Sequence, residues 1–116
     1  MQDLAETAGV DDPLQLAELR DMASHASNLL KAMANKWRLM ILCHLSDGEK
    51  TVGELQGLLD LSQSALSQHL AVLRRERIVQ STKRAQSVTY SLSGSEVTKV
   101  MQALHEVFCE KHQSVE

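Results

Sequence analysis

The sequence predicts a mainly α-helical domain with a small β-hairpin wing, the winged helix-turn-helix class, and three observations carry that reading. Apolar residues recur at three- and four-residue spacing through most of the chain, as on one face of a helix. Two such segments, capped at Thr51 and Ser62, are separated only by Asp60 and Leu61, a connection short enough for a helix-turn-helix. Beyond them Val88, Tyr90 and Leu92 alternate with Thr89 and Ser91, the two-residue period of a strand.

Each element follows from its own residues. Asp12 and Pro13 start the first helix as N-cap and first-turn proline, and Leu16, Leu19, Ala23, Ala26, Leu30 and Met33 carry it to about Ala34. Asn35 caps a second helix from Lys36 to about Ser46, in which Leu39, Leu42 and Cys43 are placed on one face and Asp47-Gly48 supplies the stop. Thr51 and Glu54 form a capping box for a short third helix ending near Asp60. Ser62 caps the fourth, which runs to about Glu76.

At about 100° per residue, Leu66, Leu70 and Leu73 of that fourth helix fall within an arc of about 60°, with Ser64, Ser67, Gln68, Ala71 and Arg75 on the opposite side. Short hydroxyl and amide groups near the N-terminus, followed by Arg, suit a helix lying in a major groove, where Gln and Ser bond base edges and Arg reaches phosphate. Two strands come next, joined around Thr82 to Gln86 with Lys83 and Arg84 at the tip, a wing placed to press on the DNA backbone or minor groove. Ser93 and Glu96 fit a second capping box, and Val97, Met101, Leu104 and Phe108 line a narrow stripe on the last helix.

Composition bounds what such a domain does. With 116 residues and 43% hydrophobic content the chain supports one small domain with a marginal core, for which dimerisation adds stability. It divides into an acidic N-terminal extension over 1–11 and a winged helix-turn-helix DNA-binding and dimerisation domain over 12–113. The net charge of −3 hides an asymmetry: residues 1–21 carry −5, whereas residues 62–92 carry +4 from Arg74, Arg75, Arg77, Lys83 and Arg84 against Glu76. Positive charge thus collects where the DNA motif lies. No charged start followed by an apolar run suggests export and no apolar stretch approaches the roughly 20 residues that span a bilayer, so a cytoplasmic protein without a membrane partner is expected. No Cys-x-x-Cys, glycine-rich phosphate loop or acid-base pair points to an enzyme or to a cofactor.

On these residues the chain resembles the arsenic-repressor (ArsR) family of winged-helix regulators. The resemblance rests on Lys36-Trp37-Arg38-Leu39, on Val52-Gly53-Glu54-Leu55, and on the run from Leu61 through Ser62-Gln63-Ser64-Ala65-Leu66-Ser67-Gln68-His69 to Leu70, and it covers about residues 20–112. It implies a homodimer paired through the first and last helices that binds double-stranded operator DNA, represses promoters and lets go when a small inducer binds. It also assigns Gln63, Ser64, Ser67, Gln68 and His69 to the groove-facing segment and Lys83 and Arg84 to the wing. His69 projects toward the core flank on the helical wheel, which fits a structural role equally well.

The inducer needs a separate argument. The Cys-Val-Cys element of the family's arsenical sensors is absent, since Gln56, Gly57 and Leu58 stand there, and the metal-sensing pattern of the last helix is broken at Ala103 and Val115; no resident metal is expected. Cys43 and Cys109 remain, and they resemble the dithiol subgroup that senses persulfide and related reactive sulfur. Cys43, on a face with Leu39 and Leu42, reads equally as a buried structural thiol, whereas Cys109 lies about 100° from the last helix's apolar stripe. The expected function is a transcriptional repressor relieved when reactive sulfur or an oxidant bridges Cys43 and Cys109, by a disulfide whose Cα atoms lie within about 7 Å or by a longer sulfur chain. A metal-responsive repressor using Cys43, Cys109 and His112, or an activator with the same DNA contacts, are the alternatives.

Overall fold

The computed structural model describes residues 13–109, with the side chain of Cys109 outside what is described. The acidic segment 1–11, the cap expected at Asp12 and the end of the last expected helix, including His112, also lie outside the described residues. The order is α1 (Pro13–Met33), α2 (Lys36–Leu45), β1 (Lys50–Thr51), α3 (Val52–Leu58), α4 (Gln63–Arg75), β2 (Val79–Arg84), β3 (Ser87–Leu92), α5 (Ser95–Leu104) and a π-helical turn over His105–Cys109. The chain divides between Lys31 and Ala32 into two units. Most of α1 stands in the first, where Leu14, Leu16, Met22 and Leu30 are exposed.

The second unit holds the core. Ile41, Leu42 and Leu45 of α2, Leu55 and Leu59 at α3, Leu66, Leu70 and Leu73 of α4, Ile78 and Val79, and Val97 and Met101 of α5 are all buried. The leucine stripe expected on the fourth helix is therefore its core face. Local chemistry sets the entry to each helix. Asn35 Oδ1 accepts from the amides of Trp37 at 2.9 Å and Arg38 at 3.1 Å, and the Thr51–Glu54 capping box closes in both directions at 2.8 and 3.0 Å. Ser62 Oγ accepts from the Ala65 amide at 3.1 Å. Each cap satisfies amides that a helix N-terminus leaves open.

Helix α4 ends in a Schellman turn: the Ile78 amide donates to the Leu73 carbonyl at 2.9 Å and the Arg77 amide to that of Arg74 at 3.0 Å. Arg77 takes φ +62°, the left-handed position usually given to glycine. This reversal drops Ile78 and Val79 into the core and launches β2.

Several elements differ from expectation. The connection between α3 and α4 is four residues, Leu59–Ser62, because α3 stops at Leu58. The wing belongs to a three-stranded antiparallel sheet in the order β1-β3-β2, with Lys50 opposite Tyr90 and Thr51 opposite Thr89; two residues between helices are too short to register as a strand by periodicity. The loop is only Ala85-Gln86, since Lys83 pairs with Val88 and Arg84 with Ser87, which places both basic residues on the strand instead of at the tip. The Ser93–Glu96 capping box does not form: the N-cap is Gly94 at φ +92°, without a side-chain cap bond. The α-helical part of the last helix stops at Leu104, and Phe108, expected on its apolar stripe, is 62% exposed.

Ala85 sits at φ +54° at the first position of a two-residue hairpin loop, where glycine is preferred because a Cβ crowds the backbone in the left-handed region. Ala85→Gly is expected to raise stability by about 0.5–1 kcal/mol, the relief of strain exceeding the added freedom of the unfolded chain. A urea titration read by circular dichroism checks this; a lowered midpoint contradicts it.

Candidate nucleic-acid interface and thiol cleft

The burial of Leu66, Leu70 and Leu73 leaves the other side of α4 open. Gln63, Ser64, Ser67 and Gln68 are exposed along it, with Ala71, Arg74 and Arg75 exposed further on. One helix thus carries small hydroxyl and amide side chains toward its N-terminus and cations at its C-terminal end, groups that donate to or accept from base edges and neutralise phosphate. His69 is half-buried, in keeping with its position on the flank of the leucine stripe. Burial, and then the nearby Arg38 charge, hold its pKa below the ordinary histidine value of 6.5. Arg38 is itself tied down, its Nε donating to the Ala32 carbonyl at 2.6 Å.

The wing supplies the second surface. Lys83 and Arg84 are exposed at the end of β2. Sequence reasoning missed the residue that receives Arg84: Glu49, just ahead of β1, places Oε2 3.2 Å from Arg84 Nη1 and accepts from Thr89 Oγ1 through Oε1 at 3.4 Å. Glu49 and Thr89 lie 40 positions apart, so no local pattern announces the pairing.

Cys43 faces a different region. The core side of α2 is taken by Ile41, Leu42 and Leu45, and at 100° per residue Cys43 falls about 155° from the centre of that face. Its expected placement with Leu42 is therefore corrected: Leu42 is buried, Leu39 half-buried and Cys43 exposed. The thiol lines a cleft of about 720 Å³. Ser46 and Asp47 continue the wall from α2, Leu92 closes the floor from β3, and Met101, His105 and Phe108 form the facing side. Cys109 follows Phe108 directly and ends the π-helical turn that contributes this far wall. Five-residue π turns are uncommon and recur at functional sites. Among the described residues, no cluster of three or more His, Cys, Asp or Glu could hold a metal ion, and no helix is long and apolar enough to cross a membrane.

Comparison with known proteins is consistent with this arrangement. A family profile described as "Bacterial regulatory protein, arsR family" matches residues 35–81, which span α2 to the start of β2. The chain is 52% identical over 101 residues to the transcriptional activator HlyU of Vibrio cholerae, covering 87% of this chain and 94% of that one. It is 36% identical to a biofilm growth-associated repressor of Agrobacterium fabrum, covering 86% and 90%. The solved structure of reduced HlyU from Vibrio cholerae superposes with a TM-score of 0.76 at 53% identity, over 79% of this chain and 97% of that one.

The lowered pKa of His69 gives a pH test. The unfolded chain takes up this proton near 6.5 while the folded chain resists it, so the stability contributed by the neutral imidazole is complete above that value. It is lost as the pH falls through the lower folded pKa. Between about pH 7.5 and 5.5 the unchanged protein should lose stability relative to His69→Gln, measured as the difference in urea midpoints; parallel profiles contradict the assignment.

Proposed function

The chain belongs to the arsR family of bacterial regulatory proteins, a DNA-binding transcriptional regulator, and on that premise we propose that it is a homodimeric repressor released from operator DNA when reactive sulfur bridges Cys43 and Cys109. The observation that carries the sensing half is the exposed Cys43 in an open cleft whose opposite wall leads into Cys109. The polar side of α4 supports the DNA half. The relatives include both a repressor and an activator, and the similarity to HlyU favours activation as the second reading; the same contacts serve either outcome, because promoter context sets the sign.

The chemistry balances with a hydropersulfide as the only oxidant. The Cys43 thiolate attacks the sulfane sulfur of R–S–SH, the donor S–S bond breaks, a Cys43–S–SH persulfide forms and RS⁻ leaves. The Cys109 thiolate then attacks the Cys43 sulfur and expels HS⁻, so two cysteine thiolates are oxidised to a disulfide while the sulfane sulfur is reduced to sulfide. Cys43 near the C-terminal end of α2 gains nothing from the helix dipole. His105 lines the same cleft as Cys43.

Dimerisation connects that bond to DNA. The exposed apolar residues of α1, together with Val107 and Phe108 at 53% and 62% exposure, supply apolar surface for a second copy on the two helices through which dimers of this class pair. Two reading helices must fit half-sites about one DNA turn apart, so tying α2 to the last helix shifts both fits at once.

Two outcomes test the reading. Gln68→Ala should weaken operator binding and spare random DNA, whereas Lys83→Ala, a wing cation outside the Arg84–Glu49 pair, should weaken both alike, in gel-shift titrations; the reverse pattern rejects this surface. Exposing the reduced protein to a hydropersulfide should add mass in units of sulfur or remove two hydrogens, in a Cys43-dependent way, and weaken operator affinity by about 5- to 150-fold. Equal affinity of the reduced and bridged forms sinks the switch.

A further inference from the structure

We propose that Glu49 is a specificity-determining residue, an internal competitor that occupies Arg84 until the reading helix seats a duplex against the wing. The inference rests on the DNA reading of α4 and the wing given above. Glu49 is held by backbone register instead of chance: the next two residues, Lys50 and Thr51, pair with Tyr90 and Thr89 of β3, and β3 in turn fixes β2 through to Arg84 opposite Ser87. Its two carboxylate oxygens divide between partners, Oε2 at 3.2 Å from Arg84 Nη1 and Oε1 at 3.4 Å from the Thr89 hydroxyl. The same hydroxyl lies 3.3 Å from the Thr82 carbonyl, and its single proton serves one of these two acceptors at a time.

A carboxylate offers a guanidinium the same kind of oxygen acceptor that phosphate does. The side chains are 63% and 41% exposed for Arg84 and Glu49, and an exposed pair of this kind is worth only a factor of about 1.5 to five in an equilibrium constant. That keeps Arg84 with Glu49 for more than half of the time in the free protein and is too little to hold it against a phosphate brought into register by base contacts elsewhere. On arbitrary DNA, where α4 is not seated, Arg84 stays with Glu49 and the pair neutralises no phosphate. On an operator Arg84 changes partner, and the wing's contribution is added only there. Glu49 thereby widens the gap between specific and non-specific binding.

The test uses the full reduced chain in four forms, unchanged, Glu49→Gln, Arg84→Ala and the double variant. The probes are an operator duplex selected from a random-sequence DNA library and a scrambled duplex of equal length, titrated by fluorescence anisotropy across a salt series. Glu49→Gln should bind the scrambled duplex about 1.5- to fivefold tighter per protomer. Its log–log salt slope on that duplex should steepen by up to about 0.9 per protomer, the limit set by one more neutralised phosphate. The operator slope should move by less than half as much, and neither change should survive in the double variant. An unchanged scrambled-duplex slope, or an equal effect of Glu49→Gln with and without Arg84, overturns the inference alone. If Arg84→Ala leaves both duplexes unaffected, the wing reading fails and takes the inference with it.

Discussion

Burial of one leucine stripe is the constraint on which everything else in this protein depends. Leu66, Leu70 and Leu73 are inaccessible or nearly so, and three side chains of that size removed from water contribute on the order of 5–9 kcal/mol before the entropy of ordering them is subtracted. Such an anchor fixes the rotation of α4 about its own axis. Once that rotation is fixed, the exposure of Gln63, Ser64, Ser67 and Gln68 is a geometric consequence, because residues three and four apart share a face and the intervening ones cannot. The polar face is therefore presented rigidly by the core behind it.

The wing is tied to the same frame by another route. Arg77 in the left-handed region turns the chain so that Ile78 and Val79 enter the core and β2 leaves in a set direction. The two residues of β1 then fasten β3 from its other side. Pairing on both sides matters because an isolated two-stranded hairpin is marginally stable in water. The cations at the end of β2 thus stand on a supported strand, and a two-residue loop leaves little slack at the tip.

The thiol region follows a contrasting logic. Helix α2 spends its core face on Ile41, Leu42 and Leu45, which turns Cys43 outward into the cleft, and the last helix lines that cleft with both its α-helical part and the π turn that follows. A π turn widens the helix and changes the phase of every residue after it. Extrapolating an α-helical wheel to Phe108 consequently fails: the side chain that continues the stripe of Val97 and Met101 on paper is exposed in the folded chain.

What the sequence determined by itself is everything set within about four residues along the chain. The caps at Asn35, Thr51 with Glu54, and Ser62, the leucine face of α4 and the polar face opposite were legible because hydrogen bonds and wheel positions at those spacings depend on neighbours alone. The family resemblance was legible for the same reason, since its motifs are contiguous. Tertiary structure alone decided β1, the Gly94 cap, the outward turn of Cys43, the π turn and the hold of Glu49 on Arg84. The pairing of β1 with β3 and the hold of Glu49 on Arg84 are settled by residues tens of positions away, and periodicity carries no record of that choice.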